Sequence, residues 1–162
     1  RIFFKFNTVP KFCFNCIKIV IYLDNPFDLI RLVLFFDQFK NLNLFNRKCM
    51  IDKKQGNFKG YIYLNSIESA EELSKEIIPI IEVLIGKKFK HEIKRGCSEY
   101  AVKYPNFKDI NYKMAYPKEW SINEEKSDKD SFKDGIPITR KLHKSLSGLT
   151  LCDFLIFNKW LN

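Results

Sequence analysis

Words that announce catalysis are missing from this chain. It has two histidines in 162 residues, and neither stands beside a sequence word for a nucleophile or a paired acid. No Walker loop, dinucleotide fingerprint or HExxH word occurs, so phosphate-loop, Rossmann-type and zincin chemistry have no support and an enzyme is not the expectation. Long apolar runs are missing too. Between Arg1 and Phe36 the Phe, Ile and Leu residues are interrupted by Lys5, Lys11, Lys18, Asp24, Asp28 and Arg31 before an apolar span of about 18 residues accumulates. Neither a signal peptide nor a membrane span is expected. Cysteines number five, an odd count at spacings too wide for a small disulfide scaffold; free thiols in a reducing compartment, such as the cytoplasm, follow.

Acidic residues are in deficit. Lys and Arg total 28 against 19 Asp and Glu, a formal charge of +9. Such a surface field attracts polyanions, so nucleic acid is the first partner to consider. The competing reading is a compositional bias in which many of the lysines form only a solvated face. The length suits one domain, or one of about 100 residues with an extension.

The pattern along the chain predicts an α+β fold. IKIVIYL over residues 17–23 alternates and is β-branched, with Ile17, Ile19, Ile21 and Leu23 on one strand face and Lys18, Val20 and Tyr22 on the other. Asn25, Pro26 and Asp28 supply a cap, a first-turn proline and an acid against the positive dipole end. The helix they open keeps Leu29, Leu32, Val33, Phe36 and Phe39 at helical spacing. A second strand near Lys48–Lys53 and a Gln55-Gly56-Asn57 turn lead into a third strand, FKGYIYL. Ser66 caps a second helix through Leu73, Ile77, Ile81 and Leu84, interrupted by Pro79 and closed by Gly86. KKFKHEIK then alternates as a fourth strand.

Strand, helix, strand, strand, helix, strand is the ferredoxin-like βαββαβ arrangement. The expected domain covers residues 12–98, with its first and third strands central, and residues 99–162 form a partly helical extension. Within the extension, residues 121–135 read as an exposed charged loop, and the acids Glu124, Glu125, Asp128 and Asp130 as a solvated cluster. Thr150 and Asp153 cap a C-terminal helix that turns Leu151, Phe154, Leu155 and Leu161 to the core.

Two constellations could carry function. Tyr22, Tyr61 and Tyr63 fall together on the sheet face away from the helices, with Lys18 and Lys59 on the same two strands. Rings placed so are a platform for stacked bases, and the lysines attract phosphates. Lys59-Gly60-Tyr61-Ile62-Tyr63-Leu64 is similar to the octamer of the RNA recognition motif family, and Ile21-Tyr22-Leu23-Asp24-Asn25 resembles its hexamer. The resemblance spans roughly residues 17–95 and departs from the family pattern at Pro26, Ile62 and Ser66. It implies RNA or a ribonucleoprotein as partner. Alternatively, the C-terminal extension covers the three rings.

Cys13-Phe14-Asn15-Cys16 is a CxxC word just before the first strand, and the topology brings Cys97, past the fourth strand, toward it. Three thiols there would hold zinc or an iron–sulfur cluster if a fourth ligand joined them, with His91, His143 and Cys152 unplaced and Cys49 at the opposite sheet end. Thiols packed as small hydrophobes are the simpler reading. KFCFNC, RKCM and KRGCSEY also resemble words of an uncharacterised bacterial family, which implies no activity. A metal-binding or protein-interaction domain is therefore the alternative to an RNA-binding module.

Overall fold

The computed structural model describes residues 2–38, 47–52, 57–129, 132–133, 136–137 and 151–162. It divides into two compact units, one made of residues 1–16 and 95–141 and the other of residues 17–94 and 142–162. The sequence reading expected a domain at 12–98 and an extension after it. Instead, the first unit draws on both sides of that domain.

The unit of residues 17–94 and 142–162 contains the sheet. Its elements run β1 (Ile17–Leu23), α2 (Pro26–Gln38), β2 (Arg47–Asp52), β3 (Asn57–Leu64), α3 (Ile67–Ile85) and β4 (His91–Arg95), numbered after a short α1 (Ile2–Phe6) in the other unit. The strand order is β2-β3-β1-β4, so the central places fall to β1 and β3. β3 pairs antiparallel with both β1 and β2. On the other edge of β1 the Tyr22 N–H donates to the Lys90 carbonyl at 2.9 Å.

Local chemistry explains the helix ends. Asn25 Oδ1 accepts the Asp28 N–H at 2.9 Å while its Nδ2 donates to the Asp28 carboxylate at 2.7 Å, which ties off the start of α2. Ser66 Oγ accepts the Ser69 N–H at 3.1 Å at the start of α3, and Gly86 ends that helix at φ 81°, in the left-handed region that glycine enters without a Cβ clash. Gly60 serves a different need. It pairs with Ile21 across the sheet, and a Cβ there would stand 2.3 Å from Leu32 Cδ2, so its bare Cα lets α2 lie close on the sheet.

Ile17, Ile19, Ile21 and Leu23 of β1, Ile62 and Leu64 of β3, Leu29, Leu32 and Phe36 of α2, and Ile77, Ile81 and Ile85 of α3 are all buried. Leu84, expected in this core, is 41% exposed and its neighbour Ile85 takes the inward place. The C-terminal helix α5 (Leu151–Leu161) likewise buries Trp160 and leaves Leu155 and Leu161 in solvent, the reverse of the expectation for those two leucines. Thr150, His143, Phe39 and Gln55-Gly56 lie outside the described residues.

The other unit has its own apolar centre of Phe3, Val9, Cys13, Tyr100 and Phe107, flanked by Phe14, Tyr104, Met114 and Trp120. Its elements are short: α1, three single turns at Lys11–Cys13, Ser98–Val102 and Pro105–Lys108, helix α4 (Glu119–Lys129), and a pair of two-residue strands, β5 (Phe132–Lys133) and β6 (Ile136–Pro137). α4 corrects the loop expected at residues 121–135. It has no buried residue and so no apolar stripe to announce it. Polar anchors hold it instead: Glu124 Oε1 accepts the Lys11 N–H at 3.0 Å, and Asn123 Nδ2 donates to the buried Thr8 hydroxyl at 2.9 Å. Glu119 in its first turn and Lys126 and Lys129 in its last also suit the helix dipole.

Candidate functional site

In the sheet unit, antiparallel register decides which side chains share a face, because directly opposed residues point the same way. Tyr22 opposes Lys59, Val20 opposes Tyr61 and Lys18 opposes Tyr63. Lys48 on β2 is the backbone partner of Tyr61. Tyr22, Lys59, Tyr61, Tyr63 and Lys18 therefore lie together on the face opposite Ile19, Ile21 and Ile62.

Tyr22 is the best-defined of the three rings. Three ammonium groups surround it, with Lys59 Nζ 5.1 Å, Lys90 Nζ 5.6 Å and Lys94 Nζ 5.8 Å from the ring centroid. At such distances each cation is attracted by the ring quadrupole, by roughly 0.5–1 kcal/mol at an exposed site. The hydroxyl is engaged as well: it donates to Glu92 Oε1 and accepts from Lys94 Nζ at 3.1 Å. Lys94 and Glu92 pair at 2.6 Å. Burial alone would lift the Glu92 carboxyl, but the Lys94 ammonium and the Tyr22 hydroxyl outweigh it and hold the group below the ordinary carboxylate range. For Lys94, burial acts to lower the ammonium, and Glu92 and Tyr22 reverse that and raise it.

The three rings differ in exposure. Tyr22 and Tyr63 are half-buried. Tyr61 is 9% exposed, with Lys18 Nζ 5.1 Å from its centroid and the Tyr63 ring 6.2 Å away. A base can stack only on a ring that solvent reaches, which leaves Tyr22 and Tyr63 as the accessible pair and Tyr61 as a buried ring beside Tyr63. Lys94 on β4 and Lys90 just before it are the residues the sequence reading missed. The alternation of KFKHEIK placed Phe89, His91 and Ile93 on one side, and therefore Lys90, Glu92 and Lys94 on the other, so the signal was present in the parity.

The cysteines belong to the other unit. Cys13 is buried with its Sγ 4.0 Å from Cys97 Sγ and 3.4 Å from the Tyr100 hydroxyl. The neighbouring Cys97 thiol and burial push the Cys13 thiol up, against a smaller opposite pull from the Tyr100 hydroxyl; burial, then Cys13, pushes Tyr100 up in turn. Cys16 is half-buried beneath Gly96, where a Cβ would stand 2.2 Å from its Sγ, and the Gly96 N–H donates to the Cys16 carbonyl at 2.8 Å. Among the described residues no group of three or more His, Cys, Asp or Glu side chains is gathered to hold a metal ion, so Cys13, Cys16 and Cys97 do not form a shell for zinc or an iron–sulfur cluster. A protonated thiol against a tyrosine hydroxyl and a second thiol is a packing arrangement. His91 is exposed in β4 of the sheet unit, and the side chains of Cys49 and Cys152 lie outside the described residues, as does His143.

Among the described residues no helix is long and apolar enough to cross a membrane. Comparison of the chain with protein-family models, with curated proteins and with solved structures finds a match in none of the three.

Proposed function

We propose that this protein binds single-stranded RNA on the face of the sheet unit that carries Tyr22 and Tyr63, using a ferredoxin-like scaffold in the manner of the RNA recognition motif family that its two strand words resemble. The observation that carries this reading is the ring of Lys59, Lys90 and Lys94 around Tyr22. Stacking needs an aromatic face, and phosphate attraction needs cations that track the backbone beside it; one central strand supplies the ring and its two neighbours supply the cations. The formal charge of +9 adds long-range attraction for the same ligand.

Within this reading the residues act differently. Tyr22 and Tyr63 stack on bases, Lys90 and Lys94 meet phosphates with Lys59 adding to the field at Tyr22, and Lys18 and Tyr61 pack beside Tyr63. The test is a titration of labelled oligouridylate at two salt concentrations. Tyr22→Ala is expected to lose roughly 1–3 kcal/mol at both salts, since stacking is nearly salt-independent, whereas Lys90→Ala should weaken binding mainly at low salt and flatten the salt slope by about one. Equal losses from both substitutions at both salts would show that the face does not divide the work this way.

A further inference from the structure

The unit of residues 1–16 and 95–141 carries a cavity of about 310 Å³ that the RNA reading does not use. Its floor is apolar: Phe3 and Tyr100, both 7% exposed, with Pro10 beside them. Phe4 and Phe12 stand at its lip, 81% and 79% exposed. Two large aromatic rings in solvent beside an apolar hollow are the composition of a docking surface, where aromatics are enriched and a hollow accepts an anchor. The size limits the occupant. At about 310 Å³ the hollow has room for one large apolar side chain.

The rim has the charge opposite to the rest of the molecule. Glu99, Glu124 and Asp128 border the opening in a chain of formal charge +9. Glu124 is fixed in place, since Oε1 accepts the Lys11 N–H at 3.0 Å and Oε2 accepts the Tyr116 hydroxyl. Glu99 and Asp128 are exposed. Lys5 Nζ and Lys126 Nζ sit 5.0 Å and 5.8 Å from the Phe6 centroid, and neither residue lines the cavity. At physiological ionic strength a ligand charge is screened over about 8 Å, so a group at the rim responds first to the three carboxylates that line it.

We infer that this cavity is a docking site for a basic peptide segment, in which one aromatic or large aliphatic side chain enters the Phe3–Tyr100 hollow and flanking Lys or Arg residues pair with Glu99, Glu124 and Asp128. The lip rings Phe4 and Phe12 cover the anchor from either side. Complementary charge of this kind selects the partner and its orientation, and the buried anchor supplies most of the affinity.

The experiment is fluorescence anisotropy with three labelled nonapeptides: one with a central phenylalanine between two pairs of lysines, one with alanine for the phenylalanine, and one with glutamates for the lysines. The first should bind at least tenfold tighter than either control. Glu99→Gln combined with Asp128→Asn, both surface changes, should weaken it at least tenfold, while Tyr22→Ala in the other unit should leave it unchanged. Circular dichroism confirms that the variants fold. No binding by the first peptide up to about 1 mM, equal binding of the acidic peptide, or indifference to the double substitution would each overturn the inference.

Discussion

Replacing Arg95 with methionine is expected to cost about 2–4 kcal/mol of stability in the unit that contains it, the value of charged hydrogen bonds removed from partly buried carbonyls. Arg95 is 9% exposed and its guanidinium serves three carbonyls on two stretches of chain. Nη1 donates to the Phe14 carbonyl, Nη2 to the Tyr112 carbonyl, and Nε to the Asp109 carbonyl at 3.3 Å, while the guanidinium carbon lies 5.4 Å from the Phe107 centroid. Methionine keeps the stem and much of the contact with Phe107 but takes the guanidinium donors from all three carbonyls, of which that of Asp109 keeps the Tyr112 N–H at 3.3 Å. Arg95→Lys should fall between, because one ammonium cannot span a fork of three acceptors. The measurement is urea unfolding followed by tryptophan fluorescence. Trp120 and Trp160 report on different units, so a Trp160→Phe background isolates the one that matters. A midpoint shift worth less than about 0.5 kcal/mol, the ordinary effect of a surface change, would show that Arg95 does not hold these segments together.

Cys13 should be the slowest of the three described thiols to react with N-ethylmaleimide, about a hundredfold behind Cys16 and Cys97, because alkylation needs an exposed thiolate. Cys13 is 2% exposed, and its thiol is pushed up by Cys97 and by burial. Timed labelling at pH 7.5 with peptide mapping reads the order directly, and labelling of Cys13 at the rate of Cys97 in folded protein would contradict the geometry. The same group gives a pH dependence of definite sign. In the unfolded chain the thiol loses its proton near 9.0, whereas the folded state retains it. Above that pH the native state binds the extra proton and stability declines as pH rises, by about 1.4 kcal/mol per pH unit for one such group. Tyr100, raised from an ordinary value of 10.0, joins it at higher pH. Below 9.0 neither group makes stability depend on pH, so Cys13→Ala should remove the decline that begins near 9.0 and leave the one that Tyr100 adds at higher pH.

Much of the sheet unit is legible in the sequence because its signals are local. Alternation in residues 17–23, the Asn25-to-Asp28 cap, Ser66 and Gly86 each act within a few residues of themselves, and each marks an element where the structure has one. The parity of Tyr22, Tyr61 and Tyr63 followed from the same rule. What covers Tyr61 did not, since alternation assigns a face and says nothing of its surroundings. The other unit was opaque for the opposite reason. Its contacts join residues far apart in the chain: Cys13 meets Cys97 across 84 positions, Lys11 meets Glu124 across 113 and Asn123 meets Thr8 across 115. Helix α4 therefore has no periodic apolar stripe for a reader of sequence to find, and only its acidic start and basic end hinted at it. The thiols show the same limit. The expected topology brought Cys97 toward Cys13, and the two sulfurs lie 4.0 Å apart, but side-chain direction, which turns Cys16 under Gly96, is not encoded in spacing.

The central claim, that RNA lies on the lysine-ringed tyrosine face, is tested most directly by ultraviolet crosslinking of oligouridylate to the intact protein at low salt, with the attached residues mapped by fragmentation. The account predicts adducts at Tyr22 and Tyr63, within the tryptic peptides of residues 19–31 and 60–75, that disappear at high salt. Binding without adducts on either ring, adducts confined to residues 1–16 and 95–141, or no RNA affinity at low salt would contradict it.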